Sequence, residues 1–403
     1  MRILFVLNTF PVVSQTFVLN EIVEMLKLGH EIRILSIFSS DEKIKHRNFG
    51  KYQLNKYIRY VFVNRKAMPR GFKKIHRIIL NILRSAYHGF DKIGLNKDTK
   101  SGRIIYSLGN NSLDYSIEVG LSILDSFNAD IIHAHFCDDA TAVAKELSRQ
   151  KGIPYTFSAH GYDIYVNPPA DWKERLYMSK FCIVYTQFNK NYLINKYNVS
   201  AEKIKVVQHG VDINEFKPSV RKFKKLTIVS VARLHPIKGN EYLIVACSIL
   251  KTKGLDYQCL LVGDGERRAY LQSMIEDLNL SDCVKILGDK RHDQVARLLR
   301  YCHIHVLPSI EESFGVATLE AMACGLAVVS SDVQGVSELI QHMKTGFLVQ
   351  PQNAKMLADC LEALGKDDGL REKMGSAARS YVEKKYSLEN EARETLGLWE
   401  SVI

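Results

Sequence analysis

Residues 304–331 read IHVLPSIEESFGVATLEAMACGLAVVSS. The apolar runs at 304–307 and 327–331 have the length of buried strands, and the small and apolar residues of about 315–324 are typical of a buried helix. A helical connection is long enough to return the chain to the starting end of the sheet, so the two strands are predicted to pair in parallel. The segment therefore predicts a βαβ unit of an α/β fold.

The same alternation of strand and helix continues on both sides of this segment. In the second half of the chain we predict further strands at 226–232, 257–262 and 284–287, and helices near 239–252, 266–279, 293–301 and 353–364. In the first half, the predicted strands are 2–7, 31–37, 130–135, 153–158 and 181–186. Two such series predict two doubly wound domains, each with a mostly parallel sheet between helices.

A linker between the two series is predicted where HGVDINEFKP (209–218) is followed by the basic run RKFKK (221–225). The resulting assignment is an N-terminal domain at 1–209, a hinge at 210–224, a C-terminal domain at 225–386, and a helix at about 387–403 that packs back on the first domain. Ligands of doubly wound sheets bind at the carboxyl ends of the strands, so we expect the domains to face each other across a binding cleft.

Composition excludes several protein classes. The chain has 403 residues, of which 46% are hydrophobic and 25% charged, values of a folded protein rather than a disordered or fibrous one. No apolar stretch approaches the ~18–20 residues of a membrane-spanning helix, and the first residues are interpreted as a strand instead of a signal peptide. The eight cysteines are scattered without the spacing of a zinc site or disulfide framework, so a cytoplasmic location is expected.

Positive charge is concentrated in one segment. The formal net charge is +11, and residues 51–100 alone hold 13 Lys and Arg against two acidic residues. Within them, 70–84 (RGFKKIHRIILNILR) projects as an amphipathic helix that could lie on an anionic membrane, which would place the protein at its inner face. The alternatives are an ordinary surface helix and a contact with a soluble acidic acceptor. Because the charge is local, nucleic acid is not expected as a partner.

Two carboxylates mark the most informative stretch. Glu320 lies within the predicted buried helix, and Glu312 lies eight residues earlier, a helical rise of ~12 Å. A buried carboxylate needs a partner. Glu320 either forms a salt bridge with a buried Arg or Lys, or it points into a cleft and accepts hydrogen bonds from ligand hydroxyls.

Groups that suit a diphosphate surround these carboxylates in sequence. The turn that opens the helix offers backbone amides at Ser313, Phe314, Gly315 and Val316. Arg233 follows a predicted strand, and Lys238 precedes the next helix. Arg supplies a planar fork for phosphate oxygens and Lys a mobile point charge.

These residues resemble the signature of the retaining nucleotide-sugar glycosyltransferases of family 4, which have two Rossmann-like domains in the GT-B arrangement. The similar segments in the second half are ARLHPIKG (232–239), LVGDGE (261–266), GVSELI (335–340) and the Glu312–Glu320 pair. In the first half, FPVVSQTFVLNEI (10–22), IIHAHF (131–136) and FSAHGYDIY (157–165) resemble exopolysaccharide enzymes, colanic-acid-type sugar transferases among them.

The resemblance implies a role for each matching residue of the C-terminal, nucleotide-sugar-binding domain. Glu320 would bind the ribose hydroxyls, Glu312 the transferred sugar, and Arg233 and Lys238 the diphosphate. Gly263 would form a turn over the nucleotide. The chain contains no Asp-x-Asp triplet, so we expect no metal and no other cofactor.

In the N-terminal, acceptor-side domain the resemblance implies that His160 contacts the donor sugar near its reacting carbon. Asp163 would orient His160 or touch the acceptor, and His135 is a further acceptor-side candidate. Ser14 and Gln15 open the first helix toward the diphosphate. A metal site at His133 and His135 is disfavoured because no third ligand is evident from the sequence.

The sequence therefore predicts a metal-independent retaining glycosyltransferase. It would move a hexose from a UDP-sugar, in preference to a GDP-sugar, to a hydroxyl of a glycan or lipid-linked glycan in surface polysaccharide biosynthesis. The alternatives are a nucleotide-sugar epimerase or a phosphorylase of the same fold, and a membrane- or polyanion-binding module without catalysis.

Overall fold

The computed structural model describes residues 1–12, 15–40, 47–62 and 100–403. Ser14 and the predicted amphipathic helix at 70–84 lie outside the described residues. The chain forms two compact units, one of Met1–Ile183 with Trp399–Ile403 and the other of Val184–Leu398. This division places residues 184–209 in the second unit, whereas the sequence-based assignment ends the first domain at 209. The end of the last helix belongs to the first unit.

The first sheet has seven strands in the order β3-β2-β1-β4-β5-β6-β7. Their bounds are β1 (Arg2–Phe10), β2 (Glu31–Ser39), β3 (Ile58–Phe62), β4 (Ile131–His135), β5 (Tyr155–Ser158), β6 (Cys182–Val184) and β7 (Ile204–Val206). Neighbours from β3 through β6 pair in parallel, with Ile3 opposite Ile32 on one side and Ile131 on the other. The central strand β1 is fully buried from Ile3 to Val6, as expected for a strand covered on both faces.

The helices of the first unit are α1 (Thr16–Lys27), α2 (Arg47–Lys51), α3 (Lys100–Ser126), α4 (Asp139–Lys151) and α5 (Trp172–Met178). Helix α1 buries its residues from Val18 to Met25, which include the carboxylates of Glu21 and Glu24. The helix therefore brings an acidic side chain, Glu21, into the interior of the unit.

The second sheet has six strands in the order β10-β9-β8-β11-β12-β13. Its strands are β8 (Leu226–Val231), β9 (Tyr257–Val262), β10 (Val284–Gly288), β11 (Ile304–Leu307), β12 (Ala327–Ser331) and β13 (Phe347–Val349). All neighbouring pairs are parallel. The βαβ unit predicted from residues 304–331 is thus confirmed as β11, a helix and β12.

The second unit also contains a series of helices. They are α6 (Gln187–Tyr197), α7 (Asn240–Thr252), α8 (Arg268–Asp277), α9 (His292–Tyr301), α10 (Val316–Ala323), α11 (Val336–Leu339), α12 (Ala354–Lys366), α13 (Asp368–Lys385) and α14 (Leu388–Glu400). Ile228 packs in a core with Leu243 of α7, whereas its neighbour Val229 packs in a separate core with Leu319 of α10. Side chains of successive strand residues thus pack into cores on opposite faces of the sheet. The predicted doubly wound α/β fold is confirmed.

No helix among the described residues combines the length and apolarity needed to cross a membrane.

Candidate functional site

A glycine allows the loop that carries Lys238 to pack closely against the backbone at the end of β11. Residues Pro236–Lys238 form a 3-10 turn that ends at Gly239, which has φ +59° in the left-handed region. A Cβ atom added at Gly239 would lie 2.2 Å from the carbonyl oxygen of Pro308. Only glycine allows this approach, because any other side chain would clash with that backbone.

This packing brings Lys238 to Glu312. The backbone N–H of Ile310 donates to the carbonyl of Ile237 at 2.7 Å, which joins the two loops. Lys238 Nζ donates to Glu312 Oε2 at 2.6 Å, and the two side chains are only 18% and 15% exposed. The N–H of Glu312 donates to Gln334 Oε1 at 2.7 Å. The structure thus joins two of the predicted site residues in a half-buried ion pair.

The turn between Glu312 and α10 contains the other predicted anion-binding groups. Gly315 has φ +89° and stands immediately before Val316, the first residue of the helix. Phe314 is buried in the second-unit core, while Ser313 and Val316 are half-buried. The amides of the first turn of α10 therefore come a few residues after Glu312, the carboxylate that pairs with Lys238.

Glu320 has a partner that the sequence analysis missed. Its side chain, on α10, is 8% exposed, and its Oε1 lies 2.7 Å from Nε2 of His292, the first residue of α9. Glu215 Oε2 lies 4.0 Å from the other ring nitrogen of His292. Burial lowers the pKa of His292, but Glu320, Glu215 and Asp212 outweigh it, so the net shift of that pKa is upward. The sequence analysis considered a salt bridge from Glu320 to Arg or Lys. In the structure the basic partner of Glu320 is instead a histidine.

Arg233 and Gly263 lie at neighbouring strand ends of the same sheet. Arg233 is exposed, and its guanidinium has no ion-pair partner within the described part of the chain. Gly263 has φ +135°, and a Cβ there would lie 2.0 Å from the carbonyl oxygen of Ala232. The GDG turn therefore packs on the backbone that leads into Arg233.

In the first unit, Asp163 fixes the backbone at His160. Asp163 is 2% exposed. It accepts hydrogen bonds from the N–H groups of His160 at 2.8 Å and Cys137 at 2.7 Å. Burial raises the pKa of Asp163 to about 7, against these hydrogen bonds. Of the two roles considered for Asp163, this geometry favours the orientation of His160.

The His160 ring lies among aromatic residues and a second histidine. Its centroid is 4.4 Å from that of Phe136 and 4.6 Å from that of Phe17. His160 Nε2 lies 3.4 Å from Nδ1 of His135, the last residue of β4. His135 is therefore placed beside His160, and both side chains are buried.

A third group of titratable residues adjoins His135. Glu21 of α1 faces His133 and His135, and all three are buried. Burial, and secondarily the neighbouring His135, lowers the pKa of His133 well below its ordinary value, so this imidazole is neutral. Glu21 was not among the site residues predicted from the sequence. Gln15, predicted to face the diphosphate, is the N-cap of α1 and makes no side-chain capping hydrogen bond.

Comparisons with known proteins identify the family. The Glycosyl transferases group 1 model matches residues 212–381, and the Glycosyltransferase Family 4 model matches residues 108–215. Amylovoran biosynthesis glycosyltransferase AmsK of Erwinia amylovora is 30% identical over 404 residues, covering 96% of each chain. The chain belongs to the family 4 glycosyltransferases. The putative colanic acid biosynthesis glycosyltransferase WcaL of Escherichia coli (strain K12) is also 30% identical to this glycosyltransferase, over 91% of each chain.

Solved structures agree on the fold of the glycosyltransferase. A glycosyltransferase from Rickettsia africae has a TM-score of 0.73 at 23% identity and covers 99% of this chain and 98% of its own. Anabaena Alr3699/HepE, solved in complex with UDP, has a TM-score of 0.69 at 20% identity over 100% of both chains. The predicted GT-B fold and the resemblance to exopolysaccharide glycosyltransferases are therefore confirmed.

Proposed function

We propose that this glycosyltransferase moves a hexose from a UDP-sugar to a hydroxyl of a growing glycan in surface polysaccharide biosynthesis, with retention of configuration and without a metal ion on the diphosphate. The observation that carries the proposal is the Lys238–Glu312 pair at the start of α10, with Glu320 farther along the same helix. The second unit thus supplies a cation from the Lys238 loop, and backbone amides and two carboxylates from residues 312–320.

Lys238 is suited to stabilise the leaving group. Its side chain is 18% exposed and its ammonium already lies 2.6 Å from Glu312 Oε2, so the cation is held in a partly desolvated place. As the glycosidic bond breaks, negative charge grows on the diphosphate, and a fixed cation stabilises that charge more in the transition state than in the ground state. Arg233 supplies a second, exposed cation. Together they would perform the charge neutralisation that other transferases assign to a divalent metal.

The two carboxylates are suited to hydroxyl recognition. His292 occupies Oε1 of Glu320, which leaves Oε2 to accept a hydrogen bond from a ribose hydroxyl. Glu312 presents one oxygen to Lys238 and can accept a sugar hydroxyl at the other. Hydrogen bonds to charged groups are stronger than neutral ones, so two carboxylates give both affinity and orientation.

Retention follows from a proposed proton transfer on one face of the sugar. The bond between the anomeric carbon and the diphosphate oxygen breaks, a bond from that carbon to the acceptor oxygen forms, and the acceptor proton passes to the departing phosphate. His160 is proposed to contact the donor sugar near this carbon, held in place by its backbone hydrogen bond to Asp163. No residue need act as a separate base.

The choice of UDP and of a polysaccharide product rests on the relatives. Anabaena Alr3699/HepE was solved with UDP, with UDP and glucose, and with UDP-glucose, and two relatives are named for amylovoran and colanic acid biosynthesis. A lipid-linked acceptor and a membrane contact through residues 70–84 complete the proposal, supported by the basic amphipathic sequence.

A donor panel tests the proposal. Purified enzyme is incubated with a glycan acceptor and, in turn, UDP-glucose, UDP-galactose, UDP-N-acetylglucosamine or GDP-mannose, and nucleotide release is measured with and without added Mg²⁺ or Mn²⁺. We expect release from a UDP-sugar at a rate that neither metal changes, and a product with the anomeric configuration of the donor. A thermal shift is expected with UDP, since ligand at ~100 times its Kd stabilises by about 2.7 kcal/mol. Absence of any shift with UDP, GDP or ADP at millimolar concentration contradicts the proposal.

A further inference from the structure

Three buried side chains from two elements of the first unit converge on one point. Glu21 comes from α1, and His133 and His135 come from alternate positions of β4, whose side chains face the same side of the strand. Their exposed fractions are 4%, 0% and 1%. One donor atom from each residue lies within 4.8 Å of the other two.

The two carboxylate–imidazole distances in this group are longer than direct hydrogen bonds and close to the separation of neighbouring ligands of one ion. Glu21 Oε2 lies 3.4 Å from His135 Nε2, and Glu21 Oε1 lies 3.8 Å from His133 Nε2. A direct charge-assisted hydrogen bond would be about 2.7–2.9 Å, as the His292–Glu320 pair shows at 2.7 Å. Ligand bonds of ~2.0–2.1 Å in a tetrahedral zinc site separate neighbouring ligand atoms by about 3.3–3.4 Å.

The opposite ring nitrogens have the partners that metal-bound histidines require. His133 Nδ1 lies 2.8 Å from Thr156 Oγ1, which also accepts a hydrogen bond from Trp399 Nε1 at 3.1 Å. His135 Nδ1 lies 3.4 Å from His160 Nε2. Such outer contacts fix the tautomer and orient Nε2 toward a metal. His133 Nε2 lies 3.2 Å from Ser158 Oγ. On binding an ion, this nitrogen would give up its hydrogen bond to Ser158.

We propose that Glu21, His133 and His135 bind a zinc-class divalent cation within the first unit. Two imidazoles and one carboxylate are a ligand set of Zn²⁺, and three protein ligands leave one position for water or another group. Through His135 the ion would hold the ring beside His160, so it acts on position and stability. The inference does not rest on the proposed function, in which Lys238 and Arg233 neutralise the diphosphate.

Metal content tests the inference directly. The full chain is purified without a metal-affinity tag, dialysed against Zn²⁺, freed of loose metal and analysed by mass spectrometry for zinc. Wild type is expected to retain about one ion per chain, since a buried structural site binds tightly. Glu21→Gln is expected to lose it. The matched control is Glu24→Gln, which changes the other buried carboxylate of α1, paired with Lys27, and should retain the ion.

A second variant and a spectroscopic probe guard against a folding defect. Thr156→Val keeps all three ligands and should weaken zinc affinity by about 10- to 100-fold, as loss of an outer-shell partner does. Co²⁺ in place of Zn²⁺ should give the visible absorption of a four-coordinate site in wild type and not in folded Glu21→Gln. If wild type retains no more zinc than Glu21→Gln, or if Thr156→Val binds as tightly as wild type, the inference is wrong and the cluster is a hydrogen-bonded network.

Discussion

Glu312 and Glu320 of the second unit and Glu21 of the first unit differ in their distances to the nearest basic side chains. In the second unit, Glu312 and Glu320 touch basic side chains directly, at 2.6 Å to Lys238 and 2.7 Å to His292. In the first unit, Glu21 is more deeply buried and lies 3.4 Å and 3.8 Å from two imidazoles. The second-unit carboxylates thus form short, direct ion pairs, whereas the longer spacing around Glu21 also fits a bound ion.

This difference bears on what each region can do. A direct ion pair at a half-buried surface can exchange part of its contact for a ligand, because donor phosphate and sugar hydroxyls replace similar interactions. A fully buried cluster has no such exchange with solvent and instead fixes the position of its neighbours. We therefore expect substitutions in the second unit to change catalysis and binding, and those at Glu21 to change metal content.

The largest effect is expected from Lys238→Ala. The variant removes a cation from the proposed leaving group and leaves Glu312 without its 2.6 Å partner. We expect kcat to fall by about 100- to 1,000-fold, the range seen when one preorganised transition-state contact is removed, with a smaller change in KM. Steady-state rates with the best UDP-sugar measure this, and Lys344→Ala, at an exposed turn residue, is the control. An unchanged kcat would remove Lys238 from the mechanism.

The next effect separates the two carboxylates of the second unit. Glu320→Ala should weaken UDP affinity by about 10- to 100-fold, since a hydrogen bond to a charged group contributes about 1.5–3 kcal/mol. Glu312→Gln should leave UDP affinity nearly unchanged and slow transfer, because its proposed ligand is the sugar. Calorimetric titration measures the UDP affinity of both variants, and steady-state rates measure transfer by Glu312→Gln. Glu311→Ala, an exposed neighbour, serves as control, and equal UDP affinity in Glu320→Ala and wild type refutes the ribose assignment.

The smallest effect concerns pH and the His292–Glu320 pair. The pKa of His292 is raised in the folded chain by Glu320, Glu215 and Asp212 despite burial. A raised pKa means that the pair stabilises the fold fully below the ordinary histidine value of about 6.5, and that this stabilisation is lost as pH rises through the folded value. Wild-type Tm should therefore fall across this window more steeply than that of His292→Gln.

Thermal melts from pH 5.5 to 8.5 measure the difference, at about 2–4 °C for each kcal/mol in a chain unit of this size. Glu320→Gln should flatten the profile in the same way, and the double variant should add little because both changes remove one interaction. Parallel profiles for wild type and His292→Gln would show that this pair does not titrate as proposed.

The inner strands of the second sheet could be predicted from the sequence nearly to the residue, whereas β1 of the first sheet runs three residues beyond its predicted end. Strands β9, β11 and β12 match the predicted ranges, and β8 ends one residue earlier than predicted. The strands that the sequence analysis missed, β3, β7 and β13, all lie at sheet edges. They are short and half-buried, so they lack the apolar run that marks a strand buried on both faces.

The residues of the candidate site also fall into those that the sequence could indicate and those that it could not. Lys238, Glu312 and Glu320 could be selected from the sequence because each lies in a local strand–turn–helix pattern. His292 and Glu21 could not, since their partners are 28 residues away for His292 and on a different element for Glu21. Without a known packing of α9 on α10, or of α1 on β4, no spacing in the sequence indicates these contacts.

The sequence by itself determined the α/β class, the two series of strands and the residue types of the proposed donor site, because periodicity and turn chemistry are local properties of the chain. Tertiary structure decided which basic group meets each carboxylate and at what distance. It placed Lys238 against Glu312 through the contact of Gly239 with Pro308. It also left Glu21 at the spacing of a metal ligand, since distances between remote residues are set by the packing of whole helices on the sheets.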